Sequence, residues 1–261
     1  MPSIIKFLLL GLVLVLAVNF TTGAQAANYS DRDWNVRMKD NCGQPVSRGA
    51  GKSVQWVEGE EGRKLRVQLD EGQIGKCWTD SEPNEWSKFR ERAEIQQSKL
   101  LRLGKHYRIS FSVQFDEGFT GFKETFFQIH GWNGNCQAAP PVMFLFDKSQ
   151  MIVWSLRGVR PEGESTWQAE GFGSHKRVQE RNIHLNSLRG RENSFVVDFD
   201  TRGPTGTLSV WVNGQSIVQN AIVEYASCAR PYIKMGVYRD GGHRTGRSVA
   251  TFDDIQVQTI Q

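Results

Sequence analysis

With 32 Lys+Arg set against 28 Asp+Glu, the 261-residue chain carries a formal charge of +4. This mild excess fits solubility or an anionic partner, and no RNP-type or finger motif in the chain points to nucleic-acid binding. Four cysteines, none in C-x-x-C spacing, set aside zinc and dithiol redox chemistry.

Taken from the N-terminus, Lys6 precedes the apolar run FLLLGLVLVLAVNF, and AQA at 24–26 supplies a small-residue cleavage pattern. The run is shorter than the ~20 apolar residues of a transmembrane helix, so residues 1–26 read as a secretory signal, an uncleaved anchor being the alternative. The remainder, 27–261, has no linker or charge block and reads as one domain. In an oxidising compartment Cys42, Cys77, Cys136 and Cys228 suggest two disulfides out of three possible pairings. Cys42 with Cys77 and Cys136 with Cys228 is the expected set.

Alternation with period 2 or β-rich composition predicts strands over 64–69, 91–97, 106–115, 124–131, 142–146 and 151–156, then over 193–200, 206–218, 231–239 and 249–260. Asn213-Gly214 splits 206–218 with a two-residue hairpin turn. Residues 182–190 form a short helical or irregular connection. Ten or so strands with turns between them point to an all-β antiparallel sandwich or jelly roll.

Three of these strands have a polar face. In FQIHG, at 127–131, Gln128 and His130 share one side and Phe127 and Ile129 the other. In RERAEIQQ, Arg90, Arg92, Glu94 and Gln96 share a side; in YIKMGVYR, Tyr232, Lys234, Gly236 and Tyr238 do. One such face is ordinary in an antiparallel sheet. Three that together supply Arg, Glu, Gln, His, Lys and Tyr point to a site.

These stretches resemble the jelly-roll alginate lyases, whose R-(S/T)-E-L, Q-(I/V)-H and Y-F-K-A-G-(V/I)-Y motifs occur in the same chain order. RAEI at 92–95, QIH at 128–130 and YIKMGVY at 232–238 correspond to them. Glucuronan lyases and the heparin lyase I group are similar. Ala93 and Ile95 depart from the first motif, and Arg239-Asp240 stand where alginate lyases carry Asn-Gln. The resemblance implies a polysaccharide lyase acting on a uronate polymer (alginate, glucuronan or heparin-like) by β-elimination. Removal of the C5 proton needs the neighbouring carboxylate neutralised, a task for Arg92 and Gln128. His130 serves as base or its helper and Tyr238 as acid, or as acid and base together. Glu94 would orient Arg92 and Lys234 would hold the substrate anion. Arg90, Trp132 and Tyr232 are further substrate-binding candidates, as are Arg239, His243, Arg244 and Arg247 from an arginine-rich rim loop.

Two other classes compete. A retaining glycoside hydrolase needs paired carboxyl groups about 5–5.5 Å apart, and no E-x-D-x-x-E strand motif supplies them. A carbohydrate-binding module would explain the aromatic residues and basic rim equally well. The lyase reading requires no cofactor; a structural calcium ion is compatible with the chain but no ligand spacing indicates one, FDDI at 252–255 being the nearest acidic cluster. The expected protein is a secreted or periplasmic monomer that takes an anionic polysaccharide and no nucleic acid, with no membrane anchor once the signal is removed.

Overall fold

The computed structural model describes residues 28–31, 34–42, 53–60, 62–83, 89–131, 139–159, 172–226, 229–243 and 245–261. The expected signal sequence, Trp132, Arg244 and the pair Cys136 and Cys228 lie outside them. In chain order the strands are β1 (Asn28–Tyr29), β2 (Met38–Asp40), β3 (Val54–Glu58), β4 (Arg63–Leu69), β5 (Arg90–Gln97), β6 (His106–Phe115), β7 (Glu124–His130), β8 (Val142–Asp147), β9 (Gln150–Val159), β10 (Phe172–Arg177), β11 (Glu192–Asp200), β12 (Gly206–Val212), β13 (Gln215–Val223), β14 (Tyr232–Asp240) and β15 (Ser248–Ile260). They form two antiparallel sheets, one ordered β1-β2-β5-β14-β7-β8-β9-β10 and the other β13-β12-β11-β6-β15-β4-β3.

This is the jelly-roll sandwich that alternation predicts, and each predicted strand is present. Asn213 and Gly214 both have positive φ, 50° and 75°, as the β12–β13 turn requires. Residues 182–190 hold a single 3₁₀ turn, Leu185–Ser187. The reading misses β1, β2, β3 and β10. The first two are too short to show a period, and β10 (FGSHKR) is a polar edge strand without β-branched residues. FDDI is not an isolated acidic site: Asp253 accepts a bond from the Trp34 indole and lies 3.6 Å from Lys64. Asp254, at φ 50°, marks a bulge between β15 and β6.

Phenylalanines from both sheets fill the space between them. Phe111 of β6 stacks on Phe127 of β7 and on Phe195 of β11, with ring centroids 5.1 Å apart in each pair. In β7 the alternation breaks once. A bulge at Phe126 leaves it without a partner on β8 and turns both Phe126 and Phe127 into the core. The same slip sends Glu124 inward.

Glu124 meets a buried arginine there. Arg239 belongs to the inner face of β14 with Met235 and Val237, so the expectation that it contributes to a substrate rim is corrected: its side chain is fully buried. It donates from Nε to Glu91 Oε2 (2.5 Å), from Nη1 to Glu124 Oε1 (2.6 Å) and from Nη2 to the Gly246 carbonyl (2.7 Å). The amides of Gly72 and Gly121 satisfy the remaining carboxylate oxygens, Glu91 Oε1 and Glu124 Oε2, and the Ser248 hydroxyl adds a second bond to Glu124 Oε1. The network ties β5, β14 and β7 together from below and fixes their relative register.

Candidate active site

β5, β14 and β7 are neighbours in the middle of the eight-stranded sheet, so the three polar faces become one surface. Lys234 stands opposite Gln96 on one side and Gln128 on the other; Tyr238 stands opposite Arg92, and Tyr232 opposite His130. Arg90, Arg92, Gln128, His130, Tyr232, Lys234 and Tyr238 all line a cleft of about 720 Å³. Of the other predicted residues, Glu94 lies beneath Arg92. His243 packs against Phe122, and Arg247 is an exposed side chain paired with Asp70 at 2.7 Å; neither lines the cleft.

Arg92 is held from two sides. Its Nε and Nη2 form a fork on Asp80, with Nη2 to Oδ1 at 2.8 Å, and its Nη1 donates to Glu94 Oε2 at 2.6 Å. A guanidinium has five N–H donors, so one remains on each of Nη1 and Nη2. Its Cζ also lies 4.1 Å from the centroid of the Tyr238 ring, close enough for a cation–π contact. Burial alone would weaken the protonation of Arg92; Glu94, Tyr238 and Asp80 outweigh it and hold the cation fixed. Glu94 Oε1 accepts from Gln128 Nε2 at 2.7 Å, and its Oε2 accepts from Asn41 Nδ2 at 3.3 Å. A continuous chain thus runs from Asp80 through Arg92 and Glu94 to Gln128.

Asp80 escaped the sequence reading. It sits in a turn twelve residues before Arg92, where no periodicity marks it, yet it is fully buried. Its carboxylate accepts the Cys77 amide at 2.9 Å, its carbonyl accepts the Arg90 amide at 2.6 Å, and Cys77 is disulfide-bonded to Cys42. The expected Cys42–Cys77 bond therefore anchors the turn that clamps Arg92. His175 of β10 was also missed. It lines the far wall, stacked on Trp154 of β9 at 5.5 Å and bonded to the Pro140 carbonyl at 2.8 Å.

The titrating groups are pushed in complementary directions. Burial, reinforced by the charges of Lys234 and Arg92, holds the His130 imidazole well below its ordinary value, so it is neutral and able to accept a proton near pH 7. Burial raises the Tyr238 phenol, against the pull of Arg92 and Arg90, so it is protonated and able to donate. Burial lowers Lys234 to about 8. Asp80 and Glu94 already match Arg92, and among the described residues no carboxylate pairs with Lys234 within 4.0 Å. Lys234 is therefore a cation that the centre of the cleft presents to an anion. A neutral acceptor, a protonated donor and a cation within one cleft can move a proton off a carbon next to a carboxylate.

Among the described residues no group of three or more His, Cys, Asp or Glu could hold a metal, and no helix is long and apolar enough to cross a membrane.

Residues 27–256 match the family model described as polysaccharide lyase. A family 7 alginate lyase, A1-II′, solved in complex with substrate (GGMG), superimposes with a TM-score of 0.51 at 14% identity over 81% of this chain and 83% of that one. The same enzyme in complex with product (GGG) gives 0.52 at 15% over 81% and 85%. An alginate lyase from Pseudomonas aeruginosa gives 0.49 at 18% over 80% and 88%. At these identities the likeness concerns the fold. No curated protein sequence matches the chain.

Proposed function

Since the chain belongs to the polysaccharide lyase family, we propose that it cleaves a uronate-containing polymer by β-elimination in this cleft, after export and removal of residues 1–26. The observation that carries the reading is the convergence of Arg92, Gln128, His130, Lys234 and Tyr238 on one face of three adjacent strands. Lys234, the spare N–H groups of Arg92 and the amide of Gln128 neutralise the substrate carboxylate, which stabilises the enolate-like state formed at C5. Neutral His130 accepts the C5 proton. The C–H electron pair becomes the C4=C5 double bond, the C4–O4 bond breaks, and Tyr238 donates its phenolic proton to the departing O4. The proton on His130 then returns to the tyrosinate through solvent, so no water is consumed and no redox cofactor takes part.

Alginate, glucuronan, heparin and heparan sulfate, with neutral glucans as controls, provide the test. Ultraviolet absorbance from the conjugated uronate should grow on one of the uronans and on no neutral glucan. Reducing ends released without that absorbance would overturn elimination in favour of hydrolysis.

The pH dependence follows from the burial of the site. His130 acts as the neutral base, so with its depressed value the acid limb of kcat/KM lies below the ordinary 6.5 of histidine. Lys234 binds only as the cation and loses its charge above about 8, so substrate affinity should fall there. In Lys234→Arg the guanidinium stays charged, and the alkaline rise in KM should move upward by at least one pH unit or vanish. An unchanged alkaline limb would assign it to another group.

Replacing Cys42 and Cys77 together by serine should lower stability by about 3–4 kcal/mol, given a sequence separation of 35. It should also lower kcat, because the turn carrying Asp80 loses its anchor. Urea midpoints and initial rates check both effects; a variant that loses stability but keeps full kcat would show that the Asp80–Arg92 clamp stands without the disulfide.

A further inference from the structure

Trp78 is the most exposed large hydrophobic side chain among the described residues, at 66%. Its backbone is nonetheless firmly placed. It follows the disulfide-bonded Cys77, inside a turn closed by the Asp80 amide on the Cys77 carbonyl (2.8 Å) and by the Cys77 amide on the Asp80 carboxylate (2.9 Å). The preceding segment lies along the stretch of β5 that β2 does not reach, the Gly75 amide bonding the Arg90 carbonyl and the Arg92 amide the Gln73 carbonyl. Two thirds of this indole faces solvent, on a turn whose backbone is anchored.

Trp78 lines the same cleft as Arg92 and Tyr238, together with Arg90, whose Nη1 is steered by the Glu82 carbonyl at 3.1 Å. The cleft therefore offers, beyond β5, an apolar ring face beside a guanidinium. A pyranose with a carboxylate matches both: its C–H face stacks on the indole and its carboxylate meets Arg90. We infer that Trp78 and Arg90 form an outlying subsite for a uronate residue on the β5 side of the scissile bond. The inference rests on the uronan-lyase reading and extends it. Trp78 sits on a turn outside β5, whereas Tyr238 and His130 stand on β14 and β7, so the subsite holds a residue outlying the bond that breaks. A polymer reaches it; the shortest cleavable oligosaccharides do not.

The test compares wild type, Trp78→Ala and Trp78→Phe on the uronan that gives unsaturated product and on its shortest cleavable oligosaccharide. Trp78→Ala should raise KM for the polymer by roughly tenfold, with kcat nearly unchanged, unaltered KM for the short substrate and an unaltered thermal midpoint. Trp78→Phe, which keeps a ring, should fall between. As a binding readout free of turnover, titration of Tyr238→Phe with the polymer should change tryptophan fluorescence, and adding Trp78→Phe should remove most of that change. Product formation with the same polymer KM in Trp78→Ala would overturn the subsite while leaving the lyase reading intact. If no uronan yields unsaturated product, the lyase reading fails first, and polymer binding that is absent or indifferent to Trp78 overturns the subsite as well.

Discussion

Tyr238→Phe is expected to lower kcat by roughly 10²–10⁴-fold, the range for loss of a general acid, while KM and the fold stay close to wild type. Phenylalanine keeps the ring that lies 4.1 Å over the Arg92 guanidinium and removes only the hydroxyl. The packing under β14 is untouched, and in the proposed mechanism what is lost is the proton delivered to O4. His130→Ala should cost a similar factor by removing the acceptor. The double variant should fall little further than the worse single one, because both residues serve one step. The informative control is Tyr232→Phe. Tyr232, not Tyr238, stands opposite His130, their rings 5.3 Å apart, so it tests whether proximity to the base selects the donor. A loss of tenfold or less in Tyr232→Phe beside the large loss in Tyr238→Phe assigns the acid to Tyr238; the reverse order would move it to Tyr232. Initial rates of absorbance growth, separated into kcat and KM, give the answer directly.

The largest effect on stability is expected from Arg239→Met. Among the described residues Arg239 is the one cation bonded to Glu91 and Glu124 in a fully buried network, and its loss leaves these two core carboxylates without that counter-charge. Breaking a buried pair from one side costs about 3–5 kcal/mol, most of which is the penalty of the stranded charges. Combining it with Glu91→Gln and Glu124→Gln should therefore recover part of the deficit. Urea titration of the three proteins measures this. A midpoint unchanged in Arg239→Met would show that the network contributes little beyond the packing around it, and no recovery in the triple variant would point to lost volume instead of stranded charge.

Much of this site was legible because a strand exposes alternate residues, and three polar stripes on strands destined to be neighbours could be read without knowing their order. What could not be read has physical causes. The bulge at Phe126 is a change of one residue in pairing with β8, and nothing in TFFQI announces it. Asp80 lies in a turn, where side-chain direction follows from local bonding and not from a period. Arg239 is different, since alternation itself assigns it to the side of Met235 and Val237. The expectation of a substrate role came from the basic loop that follows it, and the strand rule was the better guide. The role of Arg92 is also fuller than its sequence suggests. Its place on the cleft face was clear, but two carboxylates engage it, so its charge is largely matched before any ligand arrives, unlike that of Lys234.

The two faces of β14 give that strand an unusual informational load. Even-numbered positions from Tyr232 to Tyr238 face the cleft, and odd-numbered ones from Ile233 to Arg239 face the core, with the register to β5 unbroken from Lys234 to Asp240. Selection for what the enzyme cuts and selection for whether the chain folds therefore act on interleaved letters of the same short word. Each set can drift without rewriting the other, whereas a single inserted or deleted residue would scramble both messages at once. A lineage can thus change its substrate by point substitution along this strand far more readily than by changing its length.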